Sequence, residues 1–187
     1  MPERRSRHAA FLDRDGTIIH DSDYTRDPDA VILIDRAAEA MRMLSAAGYL
    51  IIVCTNQSGI ARGLISLAQY HAVRKRLDDL LAAEMVAIAD TMVCPHHPDF
   101  TGPCDCRKPG VALYERAAIV HDVDLRRSIY IGDRARDVAP GLAFGGATAL
   151  VRSPRTDSAD LAFARDKNVP IVDSLHEAVS MLLALVS

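Results

Sequence analysis

Ala9-Ala10-Phe11-Leu12-Asp13-Arg14-Asp15-Gly16-Thr17 is a short apolar run that breaks into an acidic turn. The apolar residues leading into Asp13 read as a strand, Ala9 to Asp13, buried on both faces. Its carboxyl end carries two carboxylates two positions apart, close enough to serve one ligand. An Asp-Gly turn alone is weak evidence, because both residue types favour turns for local reasons. A second acidic pair raises its weight: Asp133 and Asp137 stand in Gly132-Asp133-Arg134-Ala135-Arg136-Asp137, directly after another apolar strand. Carboxylates from two strand ends can share a hard cation, and Mg2+ takes such oxygens together with water and phosphate.

Outward from these two points, strands and helices alternate. Tyr49 to Thr55, Thr91 to Cys94, Ser128 to Gly132, Thr148 to Val151 and Val169 to Val172 read as further strands. Helices are expected near 36–47, 67–86, 110–121, 136–144 and 174–185, with Ser66 and Ser174 as N-caps and Gly48 as a C-terminal stop. Such alternation predicts an α/β fold, a Rossmann-like, mainly parallel sheet with helices on both faces and right-handed crossovers. Ligand chemistry then belongs at the carboxyl ends of the strands. Ser153 to Asp160 reads as a surface loop, and the expectation is one domain over 1–187.

Composition agrees. The 187 residues are 49% hydrophobic and 25% charged, as in an ordinary globular protein. Apolar runs such as Tyr49 to Cys54 are far below the ~20 residues of a membrane span. The basic start, Met1 to His8, leads into an apolar stretch that breaks at Asp13, too soon for a secretory core. A cytoplasmic location is therefore expected, without membrane contact. With 22 basic against 25 acidic residues, the net charge of −3 offers no general attraction to nucleic acid.

Two polar stations stand at the ends of elements. Thr55-Asn56-Gln57-Ser58-Gly59 closes the second strand, and Arg107-Lys108-Pro109 precedes a helix. Hydroxyl, amide and ammonium groups of this kind suit a phosphate dianion. Cysteine placement is uneven: Cys54 lies in an apolar run and reads as a buried apolar residue. Cys94, Cys104 and Cys106 cluster beside His96 and His97, which points to metal rather than disulfides in a reducing compartment. Three thiolates and one imidazole suit closed, tetrahedral structural zinc, with either histidine allowed by spacing.

The four stations together resemble the haloacid dehalogenase superfamily of phosphohydrolases, from about Ala9 to Val151. Asp13-Arg14-Asp15-Gly16-Thr17, Thr55 to Gly63, Cys94-Pro95-His96-His97-Pro98 and Cys104-Asp105-Cys106-Arg107-Lys108-Pro109 look like its branch of heptose bisphosphate and histidinol-phosphate phosphatases. That resemblance implies a Mg2+-dependent phosphatase acting through an aspartyl phosphate on a small phosphorylated sugar. A heptose bisphosphate is expected first, and histidinol phosphate or another polyol phosphate second. It makes Asp13 the nucleophile and Asp15 the acid and base. Asp13, the Asp15 carbonyl and Asp133 become Mg2+ ligands, supported by Asp137. Thr55, Asn56 and Lys108 would hold the transferring oxygens, and Cys94, His96, Cys104 and Cys106 the zinc, in a loop over 94–106.

Segments Thr17 to Asp35 and Gly59 to Lys108 are too short for the cap domain of larger relatives. A capless, open site is expected, and a monomer. Its rim would use Gln57, Ser58, Arg62, Arg107 and the stretch His20 to Asp29. One departure from the family pattern is that Gly110 follows Pro109 directly. A zinc-stabilised binding module without catalysis is the reading from another class; the intact Asp13, Asp15, Lys108 and Asp133 oppose it.

Overall fold

The structure, a computed structural model, describes residues 6–186; the basic stretch Met1 to Arg5 lies outside them. Six strands form one sheet: β1 (Ala9–Leu12), β2 (Leu50–Asn56), β3 (Asp90–Cys94), β4 (Ile129–Gly132), β5 (Ala147–Val151) and β6 (Ile171–Val172). Their order is β3-β2-β1-β4-β5-β6, and every pairing is parallel. The order reverses direction between β1 and β4, so the crevice of this doubly wound sheet opens at their carboxyl ends.

Side-chain alternation explains the layering. Ala10, Leu12, Ile51, Val53, Ile129 and Ile131 share one buried cluster with α1 (Ala37–Ala46), α3 (Leu67–Ala83) and α8 (Leu175–Val186). Ala9, Phe11, Ile52, Cys54 and Tyr130 point the other way, toward α5 (Ala112–His121). Both clusters are apolar, so the central strands are hydrophobic at every position, as the sequence suggested. On that second face α6 (Ala135–Phe144) and α7 (Ser158–Asp166) cover β5 through Val138, Leu150 and Ala164.

Ser66 caps α3 in a reciprocal box with Gln69, and Ser174 accepts from the Glu177 N–H. Gly48 follows α1 with φ +87°, a left-handed stop. The loop expected over Ser153 to Asp160 ends earlier. Asp157 caps the Ala159 and Asp160 N–H groups and starts α7, which a polar segment had hidden. Two one-turn helices, α2 (Ser58–Ala61) and α4 (Pro98–Thr101), were also unforeseen. The sixth strand begins at Ile171 rather than Val169, and the helix expected from 110 begins at Ala112. Among the described residues no helix is long and apolar enough to cross a membrane.

Candidate active site

Asp13 follows β1 directly, its N–H bonded to the Ile131 carbonyl of β4, and Asp133 follows β4. The two acids therefore face each other across the reversal point. Gly16 has φ +81°, and a Cβ there would lie 2.4 Å from Asp133 Oδ2, so the acidic turn reaches Asp133 only because this residue is glycine. Asp13, Asp133 and Asp137 bring carboxylate oxygens within 4.8 Å of one another, all buried.

Lys108 is the counter-charge. Its Nζ lies 2.6 Å from Asp13 Oδ1, 2.7 Å from Asp137 Oδ1 and 2.6 Å from the Cys54 carbonyl. Burial works against this ammonium, but the Asp13 and Asp137 carboxylates outweigh it and hold its pKa above the ordinary lysine range. Asp137 Oδ2 accepts from the Arg134 N–H, so this residue spends its oxygens on the helix start and on Lys108.

Three buried carboxylates against one ammonium leave two negative charges, which one divalent cation balances. Burial, with the charges of Asp13 and Asp137, pushes Asp133 up to about 8. Burial also raises Asp13 to about 6, with Lys108 opposing and Asp137 and Asp15 adding. Carboxylates crowded in this way are stabilised by a cation, so the donor set fits Mg2+. Two side chains that the sequence did not single out support Asp133. Ser153 Oγ donates to its Oδ2 at 2.6 Å, and Thr156 Oγ1 donates to its carbonyl at 2.8 Å.

The polar station after β2 divides its tasks differently from the expectation. Thr55 is buried and faces the cavity. Asn56, expected on the transferring phosphate, lines the cavity, and its side chain clasps the Lys108 backbone. Its Nδ2 donates to the Lys108 carbonyl at 3.1 Å, and its Oδ1 accepts the Lys108 N–H at 3.0 Å. Gln57, expected on substrate, donates from Nε2 to both Thr55 Oγ1 and Asp15 Oδ2, each at 2.8 Å. Asp15 is also gripped by Arg14, with Nε and Nη2 at 2.9–3.1 Å from its oxygens. Its carboxylate lies outside the acidic group; only its carbonyl was assigned to the metal.

Cys94, His96, Cys104 and Cys106 come together at the end of β3 and the loop beyond. Five of the six pairs among their Sγ and Nδ1 atoms stand 3.1–3.9 Å apart, and all four lie within 4.8 Å of one another. A tetrahedron on zinc bonds of ~2.0–2.3 Å has edges of about 3.5–3.8 Å, so the donors fit zinc. Burial pushes the Cys94 thiol up to about 12, with Cys106 adding, so metal must displace a firmly held proton. His97 stays out: its Nδ1 caps α4 by accepting the Asp99 N–H. Arg107 leaves this loop toward the cavity and donates to the His96 carbonyl at 3.2 Å. A Cβ at Gly110 would fall 2.4 Å from the Asp105 carbonyl, so the short connection after Pro109 closes only with glycine.

These groups border an open cavity of about 280 Å³. Ser58, Arg62 and Arg107 line it as expected, joined by Arg134, Arg136 and Arg155, which the sequence did not mark. Arg62 lies over the rings of Tyr24 and Phe100, 5.5 and 5.7 Å from their centres. Arg155 pairs with Asp21 and Asp23. Both arginines thus hold the segment around Tyr24 against the rim.

Comparison with known proteins decides the family. A HAD-hydrolase-like family model matches residues 105–178. The D-glycero-beta-D-manno-heptose-1,7-bisphosphate 7-phosphatase of Salmonella typhi is 39% identical over 164 residues, covering 84% of this chain and 87% of that one. The chain belongs to the haloacid dehalogenase superfamily of phosphatases. The Yersinia pestis enzyme of the same name is 35% identical over 177 residues, with 91% and 94% covered. A crystal structure of the D,D-heptose 1,7-bisphosphate phosphatase of B. bronchiseptica, complexed with magnesium and phosphate, superposes with a TM-score of 0.84. It is 31% identical and covers 95% of this chain and 99% of its own. As a haloacid dehalogenase phosphatase, the protein is a phosphoric monoester hydrolase, and its family uses Mg2+ and an aspartyl phosphate.

Proposed function

We propose that this protein removes the 7-phosphate of D-glycero-D-manno-heptose 1,7-bisphosphate. The observation that carries the reading is the Lys108 ammonium between Asp13 and Asp137, beneath the paired acids of β1 and β4. The relatives support the choice of sugar.

Asp13 attacks phosphorus, the ester bond breaks, and Asp15 gives its proton to the departing alkoxide. Water then attacks the acyl phosphate, Asp15 takes the proton back, and Asp13 is freed as inorganic phosphate leaves. Lys108 and the Thr55 hydroxyl stabilise charge on the transferring oxygens, where most phosphoryl-transfer catalysis is positioning and electrostatics. Asp13, the Asp15 carbonyl and Asp133 would hold Mg2+, which neutralises phosphate charge when bound. Cys94, His96, Cys104 and Cys106 would hold structural zinc and thereby steady Arg107 and Lys108.

Arg107 is the best-placed group for the second phosphate, because its backbone neighbours are anchored to the zinc loop. The chain works as one capless domain, a cytoplasmic monomer, on a small phosphorylated sugar. A substrate panel with Mg2+ tests this: heptose bisphosphate should be turned over far faster than histidinol phosphate or a 3'-phosphorylated oligonucleotide. Faster turnover of either competitor would overturn the substrate assignment.

A further inference from the structure

Both hydrogens of the Gln57 amide are used inside the site. One goes to Thr55 Oγ1 and one to Asp15 Oδ2, each at 2.8 Å. Gln57 is only 5% exposed, and its own N–H donates to the Cys94 carbonyl at 2.8 Å, so it is fixed at both ends. A side chain with no amide hydrogen left has little to offer a substrate oxygen.

Its two acceptors are the groups assigned to opposite jobs. Because Thr55 Oγ1 accepts from Gln57, its own hydrogen is directed elsewhere, and the cavity is the direction left open for donating to phosphate. Asp15 is held from the other side by Arg14, a 3% exposed guanidinium with Nε 3.1 Å from both carboxylate oxygens. The candidate acid is therefore gripped between two buried donors. Proton transfer and in-line attack demand such placement, since small displacements of reacting groups are costly.

We propose that Gln57 and Arg14 are positioning residues for phosphoryl transfer. Gln57 couples the proton-transfer carboxylate of Asp15 to the phosphate-facing hydroxyl of Thr55, and Arg14 sets the other edge of Asp15. The proposal rests on the phosphatase reading above and on Asp15 as its proton-transfer group. It moves Gln57 out of the substrate-contact set.

The test uses the dependence on leaving group. An alkoxide needs a proton as the ester breaks, whereas an aryl oxide leaves without one. In Gln57→Leu, kcat/KM on the sugar bisphosphate, which reports phosphoenzyme formation rather than the hydrolysis step both substrates share, should fall on the order of 10^2-fold, within the range of general acid catalysis. On p-nitrophenyl phosphate the fall should stay under about tenfold. Arg14→Lys, which keeps the charge but loses the fork, should show the same selective loss at smaller size. If Gln57→Leu does not fold, Gln57→Glu and Arg14→Lys answer through the same ratio. Equal losses on both substrates, or none on the sugar, overturn the positioning role. A wild-type protein inert toward both substrates overturns the phosphatase reading itself, and the clamp falls with it.

Discussion

Lys108 Nζ lies 2.6 Å from Asp13 Oδ1, joining residues 95 positions apart in a buried ion pair. The lysine enters from the loop that leaves the Cys/His group, and Asn56 clasps its backbone on the way. The sheet delivers the aspartate, and the loop carrying three cysteines and a histidine delivers the lysine.

Removing either end should stop turnover. Asp13→Asn should lower kcat by at least about 10^3-fold, because the covalent step is lost. Lys108→Met should lose on the order of 10^2-fold or more. Steady-state kinetics with circular dichroism checks this, and near-normal turnover in folded Asp13→Asn would contradict its role as nucleophile.

Mg2+ should stabilise the protein more at higher pH. Burial and the charges of Asp13 and Asp137 push Asp133 up to about 8 from an ordinary 3.8. The folded state thus holds a proton that the unfolded chain releases, and stability falls as pH rises from about 4 through 8. Mg2+ relieves that loss by replacing the proton. The rise in melting temperature on adding Mg2+ should be larger near pH 8.5 than near pH 6; a flat or reversed trend would contradict the ligand set.

Ser153 should act on Mg2+ through Asp133, its Oγ also accepting the Arg155 N–H at 3.0 Å. Ser153→Ala removes the 2.6 Å bond to Oδ2. Mg2+ binding, measured by calorimetry on the purified protein, should weaken about tenfold, the scale of outer-shell losses, while Ser153→Thr retains it. Unchanged affinity in Ser153→Ala would show that the bond does not orient the ligand.

One zinc per chain should survive dialysis against Mg2+, as a closed four-donor site predicts. Cys104→Ser and Cys106→Ser should each lose it, lower the melting temperature and reduce turnover through disorder of Arg107 and Lys108. Full zinc in both variants, by elemental analysis, would refute the assignment.

Arg107→Ala should hurt the bisphosphate more than an aryl phosphate. The loss in kcat/KM should be about 1.5–3 kcal/mol if one charge-assisted hydrogen bond is removed. Matched assays decide: a uniform loss places Arg107 on the reacting phosphate or the loop, and no loss moves recognition to Arg62 or the His20 to Asp29 segment.

Much of this site was legible because its chemistry sits at strand ends. An apolar run followed by Asp13, and another followed by Asp133, reports a buried strand and its carboxyl edge, so the pairing of the two acids follows from a parallel sheet. The Cys/His group was legible because three cysteines and a histidine lie within thirteen residues. For Asn56 and Gln57 the motif marks a polar station but not which partners take up their side-chain hydrogens: the Lys108 backbone for one, Thr55 and Asp15 for the other. Ser153 and Arg155 left no trace, lying in a stretch whose proline and polar residues read only as a loop.

The chain's local order alone determined the alternating elements, the acidic turns and the clustering of three cysteines with a histidine, since each depends on neighbours within a few residues. Only the tertiary structure decided which donors meet: Lys108 with Asp13, Ser153 with Asp133, and Gln57 between Thr55 and Asp15. The physical reason is that a buried polar group must find a partner wherever the fold brings one within hydrogen-bond reach, and that reach is set by packing across the sheet rather than by distance along the chain.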